Sequence, residues 1–391
     1  MLPQDLARLQ ISTHPSNPTP PSAYSPYLPT PPPEPSSPLL PAAQATVYIP
    51  TPVHPQALAY ARTRFAKVLA AHEVGAEEGW ARADGVVSRA ARIGRGQLEA
   101  GEGGNKVMGI GIVGVGYDSI DIECCKERCI TVMNCPGANS QVVAELTLSL
   151  TLALLRRVPE LDRRLRQGEM MLSIDNLGRT LRGKKVGMVG MGATARRAAD
   201  IFHHAFDCEI HIFSPTTSYT RWSTSDPSGP LPHTRHSSLA SLLPLIDILT
   251  LHCPLTDATR NMISTRELGW MKPGSVMVNM SRGAVVDEVA LKEELSKPEL
   301  VLEEEGDGNG KGRKLWAAAS DVFASEPIQK DQSNGLLDLP NFIGTPHIGG
   351  STVEAQVDVC IQAIDQLADF FDGHQVRNRC GNLANFDVGK K

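Results

Sequence analysis

The stretch "KKVGMVGMGATARRAADIFHHAF" (184–206) constrains the chain more than any other. A short apolar run is followed at once by glycines and then by a segment with helical spacing. Within it, Gly190-Met191-Gly192-Ala193-Thr194-Ala195 reads GxGxxA. Gly190 permits the tight turn, Gly192 lets backbone approach a pyrophosphate, and Ala195 keeps the helix close to the sheet. The start of the helix offers unpaired N–H groups and the positive end of its dipole to an anion. A glycine pattern alone is weak, but one that ends a strand and opens a helix has the context its mechanism requires. The expectation is a dinucleotide held at this turn, on a parallel sheet.

The same rhythm runs on. "CEIHIFS" (208–214), "IDILTLHCP" (246–254), "SVMVNMS" (275–281), "LWAAAS" (315–320) and "NFIGTP" (341–346) read as strands, with helical stretches near 265–271 and 287–296. Strands alternating with helices predict a doubly wound parallel sheet covered on both faces. Upstream lies a smaller α/β unit. There "TVYIP" (46–50), "DGVVS" (84–88) and "KVMGIGIVGVG" (106–116) read as strands, and "PQALAYARTRFAKVLAAH" (55–72) as a helix; a long helix begins after "PGANS" (136–140). Residues 1–45 are dominated by Pro, Ser and Thr. Such a segment buries too little apolar surface to offset its ordering entropy, so a disordered tail with polyproline II character is expected there.

Composition narrows the function classes. A net charge of −5 over 391 residues gives no global attraction to nucleic acid or to an anionic membrane. The most apolar run, "VVAELTLSLTLALL" (142–155), is too short to span a bilayer and carries Glu145. The N-terminus lacks an apolar signal core, and "VGKK" at the C-terminus is no peroxisomal address. Eight cysteines show no CxxC pair, which argues against a structural metal site and for reduced thiols in the cytoplasm.

The strand after the glycine turn bears on cofactor choice. An Asp or Glu at its end would bind the ribose 2′-OH of NAD and repel a 2′-phosphate. That place is held by Ser214, in "FSPTTSYTR", where Thr216 and Thr217 repel nothing and Arg221 is a cation within reach. The sequence leaves both NAD and NADP open.

Three later blocks, "VNMSRGAVVDEVAL" (278–291), "SDVFASEP" (320–327) and "TPHIGGST" (345–352), resemble the signatures of the D-isomer-specific 2-hydroxyacid dehydrogenases. "GVGYDSIDI" (114–122), "NCPGANSQVVAELTLSL" (134–150) and "LHCPLTDATRNMI" (251–263) match upstream in order and spacing, so the likeness covers about 46–385. The resemblance implies a Rossmann-type sheet inserted into a smaller flavodoxin-like α/β substrate domain. The substrate domain would comprise 46–140 and 348–385, and the dinucleotide domain 141–347. It implies a hydride exchanged between NAD or NADP and C2 of a small 2-oxo or D-2-hydroxy acid, and a homodimer formed through the helix after "PGANS".

By that resemblance Arg282 holds the substrate carboxylate and polarises its carbonyl, Glu326 partners His347, and His347 is the general acid/base. Glutamate at 326, where formate dehydrogenases carry glutamine, argues against formate oxidation. The pattern puts Gly190, Met191, Gly192, Ala193, Thr194, Ser214, Cys253, Pro254, Met280, Ser281, Asp321 and Gly349 along the cofactor, with Asp321 near the carboxamide. It makes Arg89, Val115, Gly116 and Asn139 substrate contacts. Departures are Ser214, Ala138 in the "PGANS" turn, Trp316 in an otherwise small-residue strand, and "LEEEGDGNGKGRKL" (302–315), which reads as a flexible insertion. C-terminal binding protein corepressors share the fold and a similar trio, so a dinucleotide-sensing scaffold is the alternative.

Overall fold

A computed structural model describes residues 40–89, 91–99, 106–298, 312–376 and 378–380. Its strands are β1 (Thr46–Ile49), β2 (Lys67–Ala70), β3 (Gly85–Ser88), β4 (Gly109–Ile112), β5 (Thr131–Met133), β6 (Lys185–Val189), β7 (Glu209–Phe213), β8 (Thr234–His236), β9 (Ile248–Leu251), β10 (Ser275–Asn279), β11 (Leu315–Ser320) and β12 (Phe342–Gly344). Its helices are α1 (Pro55–Arg64), α2 (Ala76–Arg82), α3 (Arg95–Leu98), α4 (Ile122–Glu127), α5 (Ser140–Leu155), α6 (Val158–Arg166), α7 (Ala193–Phe206), α8 (Leu239–Leu242), α9 (Thr265–Trp270), α10 (Glu288–Ser296) and α11 (Val353–Phe371).

Two sheets result, and every strand pair in both is parallel. The first has the order β2-β1-β3-β4-β5, the flavodoxin-like arrangement. The second runs β12-β11-β10-β9-β6-β7-β8, with the Rossmann reversal between β6 and β9. Central strands such as β9 ("ILTL") and β10 ("SVMVN") are buried along their whole length, as strands covered on both faces must be.

Helix α11 returns the chain to the first sheet. A Cβ added at Gly109 would meet Phe370 at 2.9 Å, and one at Gly111 the Ala363 carbonyl at 2.8 Å. The glycines of "GIGI" therefore let α11 lie close against β4. On the second sheet α5 packs against α7 and against the small residues Ala317 and Ala319 of β11. Trp316, at the amino end of β11, lies under the Arg179 guanidinium, 4.3 Å from the ring centroid.

Several expectations need correction. Residues 40–45 are ordered: Ala42–Gln44 make a turn of 3₁₀-helix, Ala45 is fully buried, and the Ala42 N–H donates to Asp372 Oδ1 at 2.8 Å. The rest of the expected tail, 1–39, lies outside the described residues. The helix expected over 55–72 stops at Arg64, because "KVLA" pairs with β1 as an edge strand. The short strands β5 and β8 were not expected at all. Of the expected insertion, 302–311 lies outside the described residues, while Leu315 is already in β11.

Candidate active site

The candidate side chains gather at the carboxyl ends of both sheets, where ligands bind in open α/β structures. Gly190 leaves β6 with φ +105, a conformation strained for any residue with a Cβ. A Cβ there would also lie 2.8 Å from the His252 carbonyl oxygen. Gly192 caps α7, and a Cβ built on it meets nothing within 4 Å. Ala195 is fully buried. The turn is therefore pressed against protein on one side and open above the helix N-terminus, the cradle a pyrophosphate needs. Met191 contributes only backbone to it, since its side chain sits in the core.

Around this cradle Cys253 and Pro254 follow β9, and burial pushes the Cys253 thiol up to about 11. Met280 and Ser281 follow β10 and are buried. Both ring nitrogens of His252 are buried without a partner, and burial lowers its pKa to about 4, so the ring is neutral. Thr194 Oγ1 donates to Ser140 Oγ at 3.4 Å, tying the glycine turn to the start of α5.

At the end of β7, the Ser214 and Thr217 hydroxyls share a 2.7 Å hydrogen bond. The cation built into this loop is Arg235 of β8. It donates to the carbonyls of Ser218 (2.6 Å), Thr217 (2.8 Å) and Ser214 (3.2 Å). Arg221, the cation expected there, instead pairs with buried Asp226 at 3.7 Å. The same loop buries Trp222, whose ring lies 5.8 Å from the Arg196 guanidinium carbon.

The polar centre comes from three strand ends. His347, three residues beyond β12, has φ +53. A non-glycine residue there costs roughly 1–2 kcal/mol, so the surroundings must impose it. Asp321, at the end of β11, is what imposes it. Its carbonyl accepts from His347 N at 2.8 Å. Its buried carboxylate accepts from Thr345 Oγ1 (2.6 Å), Ile348 N (2.8 Å) and Gly349 N (2.7 Å). A Cβ on Gly349 would come within 2.9 Å of that carboxylate.

His347 Nδ1 donates to Glu326 Oε2 at 2.7 Å. This bond raises the imidazole pKa above its ordinary 6.5, against the opposing effects of partial burial and of Arg282. Burial pushes the Glu326 carboxyl up, but His347, the Phe323 N–H and Arg282 together hold it below the usual carboxylate value. The Glu326 loop is itself held. Glu288 Oε1 accepts from Ala324 N at 2.7 Å, and Gly283 packs so closely on the Phe323–Ala324 peptide that no Cβ fits between.

Arg282 stands after β10. Asn279 shapes its turn by accepting from Ser281 N (3.0 Å) and Oγ (2.7 Å) and donating to the Arg282 carbonyl (3.0 Å). From the first sheet, Gly116 lies beneath the Arg282 guanidinium, and Asp118 receives its Nε. Asn134 Nδ2 donates to the Val115 carbonyl at 2.7 Å and fixes that turn. Asn139 Nδ2 would touch a Cβ on Gly350 at 3.0 Å. Arg89 donates to Ser351 Oγ at 2.8 Å, which ties it to the His347 loop. Asp118, Asn279 and Glu288 were missed by sequence reasoning, although each sits inside a quoted block. Among the described residues, no three His, Cys, Asp or Glu side chains converge as metal ligands.

A Rossmann sheet with this cradle and an imidazole–carboxylate–guanidinium trio defines an oxidoreductase that uses a nicotinamide dinucleotide, NAD or NADP. Comparison with known proteins is specific: residues 148–302 match the family described as "D-isomer specific 2-hydroxyacid dehydrogenase, NAD binding domain". The chain is 31% identical over 304 residues to glyoxylate/hydroxypyruvate reductase B of Pectobacterium carotovorum, covering 77% of this chain and 86% of that one. It is 34% identical over 270 residues to the hydroxypyruvate reductase of Thermotoga maritima, covering 68% and 78% respectively. The solved TT0316 protein of Thermus thermophilus superposes with a TM-score of 0.71 at 28% identity, over 85% of this chain and 99% of that one. The chain belongs to the D-isomer-specific 2-hydroxyacid dehydrogenases. No helix among the described residues is long and apolar enough to cross a membrane.

Proposed function

We propose that this enzyme interconverts a small 2-oxo acid and its D-2-hydroxy acid, with His347 as the proton carrier. The observation that carries this reading is the 2.7 Å bond from His347 Nδ1 to Glu326. With Nδ1–H committed to the carboxylate, Nε2 carries the transferable proton. A bound nicotinamide supplies or accepts the hydride. Arg282 binds the substrate carboxylate and polarises the carbonyl. His347 protonates the oxygen during reduction and takes the hydroxyl proton during oxidation. Gly190, Gly192 and the first N–H groups of α7 receive the pyrophosphate. The first sheet with α11 forms the substrate side of the cleft.

Purified protein tested with glyoxylate, hydroxypyruvate and other 2-oxo acids, each with NADH and NADPH, is expected to oxidise the dinucleotide. No turnover with any acid would remove the proposal. Ser214 and the neighbouring Arg235 support acceptance of NADPH. Ser214→Asp is then expected to cut kcat/KM for NADPH about tenfold or more through charge repulsion and to spare NADH; equal losses for both would refute that assignment.

The eight cysteines are free thiols and six are buried, which fits a cytoplasmic enzyme. A homodimer is supported by the segment beyond α5. Met170, Leu172, Ile174 and Leu177 are 95%, 65%, 68% and 65% exposed, an apolar set that a second copy would cover.

A further inference from the structure

The guanidinium of Arg282 is not free to turn. Nε lies 3.0 Å from both carboxylate oxygens of Asp118, and Nη1 donates to the Ser281 carbonyl at 2.7 Å. Gly116 leaves the space that Nη2 occupies, since a Cβ there would overlap it. One edge of the fork is thus taken by Asp118, and one position on Nη1 by backbone. The donors left over are the second Nη1 hydrogen and the Nη2 pair; the second Nη1 hydrogen and one of the Nη2 pair form the end-on face that a carboxylate grips with two parallel bonds. Asp118 and Arg282 also come from different sheets, the first from the loop after β4 and the second from the turn after β10.

We propose that Asp118 is a positioning residue: it orients Arg282 so that the Nη1–Nη2 face meets the substrate carboxylate, and it does so across the cleft between the two sheets. This rests on the reading of Arg282 as the carboxylate anchor. Orientation, not stability, is the role the geometry assigns. The Asp118 side chain is 47% exposed and that of Arg282 29%, and ion pairs so open to solvent contribute little to folding. Partial burial pushes the Asp118 carboxyl up, but the hydrogen bond and charge of Arg282 outweigh it and keep the group ionised. A carboxylate at this point also stops Nε from competing for the substrate, which would let the acid bind side-on with its carbonyl turned from His347.

The test uses the full chain. Oxalate, a planar stand-in for a 2-oxo acid, is titrated calorimetrically into the protein with dinucleotide present, for wild type, Asp118→Ala and Asp118→Asn. Steady-state KM and kcat for the best 2-oxo acid are measured alongside. Asp118→Ala is expected to weaken oxalate and raise KM about tenfold to hundredfold, the scale of a lost hydrogen bond to a charged group. Dinucleotide affinity and melting temperature should stay near wild type. Asp118→Asn, which keeps an oxygen for Nε, should recover part of the loss. Unchanged or tighter oxalate binding in Asp118→Ala would overturn the inference, because Asp118 would then be idle or a competitor. So would equal losses of oxalate and dinucleotide binding in Asp118→Asn, which would mark a structural role. If wild type binds oxalate but turns over no 2-oxo acid, the proposed reaction fails while the calorimetry still judges the role of Asp118.

Discussion

His347 carries most of the chemical argument. Its sequence neighbours mark it as catalytic only by resemblance, while its positive φ and its bond to Glu326 give a physical cause. His347→Ala is expected to lower kcat by about 10²- to 10⁴-fold, the usual worth of a general acid. A rate within twofold of wild type, measured by dinucleotide absorbance, would remove the residue from the mechanism. The pH dependence has a definite sign. Under the proposed mechanism reduction needs protonated His347, so its rate should fall as pH rises through a pKa that Glu326 has raised. Glu326→Gln removes that support and leaves the opposing burial and Arg282 charge. The alkaline limb of the reduction profile should therefore move to lower pH. A limb that stays in place would show that Glu326 does not set the proton affinity of the ring. The linked stability has the same sense: the folded-state gain from the pair is complete below the ordinary histidine pKa and fades as pH rises through the raised one. Arg282, Glu326 and His347 were legible in the sequence as candidates because whole blocks carry them, and the fold brings the three together. Asp118, Asn279 and Glu288 were not, because their importance lies in which groups they touch, and short polar residues in loops have no periodicity to betray them.

At the level of single elements, the glycine turn is the best test of the cradle. Gly190→Ala would put a Cβ at 2.8 Å from the His252 carbonyl and force φ +105 on a residue that has a Cβ. The positive φ alone is worth roughly 1 kcal/mol or more. Dinucleotide affinity should fall and the melting temperature with it; an unchanged affinity by titration would show that the cofactor does not lie over this turn. The strands β6, β9 and β10 were readable because each is a mainly apolar run with clear ends, and β7 because "EIHIF" alternates polar and apolar residues. Strand β2 was not. "KVLA" continues the helical spacing of α1, and only pairing with β1 makes it extended. Strands β5 and β8 are three residues each and, unlike the equally short β12, lie in no quoted strand-like run that ends in a turn signal. The glycines of β4 were visible but their reason was not: it lies in α11, more than 240 residues further on in the chain.

For the whole molecule, the doubly wound class was accessible from the series of strands and helices, whereas rules for parallel crossovers only narrow the strand orders and the structure supplies them. For assembly, the resemblance points to α5, yet one face of α5 is spent on α7 and β11, and the bare apolar side chains lie beyond it. Each such side chain is worth about 1.5–3 kcal/mol when fully covered. Met170→Asp with Ile174→Asp should therefore shift the protein from dimer to monomer in sedimentation experiments. A wild type that sediments as a monomer would end the dimer proposal. The placement of Trp222 has a further consequence. The chain has four tryptophans, and this one is enclosed in the loop after β7, against Arg196 of the helix that opens at the glycine turn. Indole emission overlaps the absorption of reduced nicotinamide. If the dinucleotide lies over the glycine turn, NADH or NADPH should quench the intrinsic fluorescence by energy transfer, and Trp222→Phe should remove a large part of that quench; an equal quench in the variant would show that Trp222 is not the donor. Cofactor affinity becomes measurable without any substrate, which separates the binding of the dinucleotide from the choice of acid.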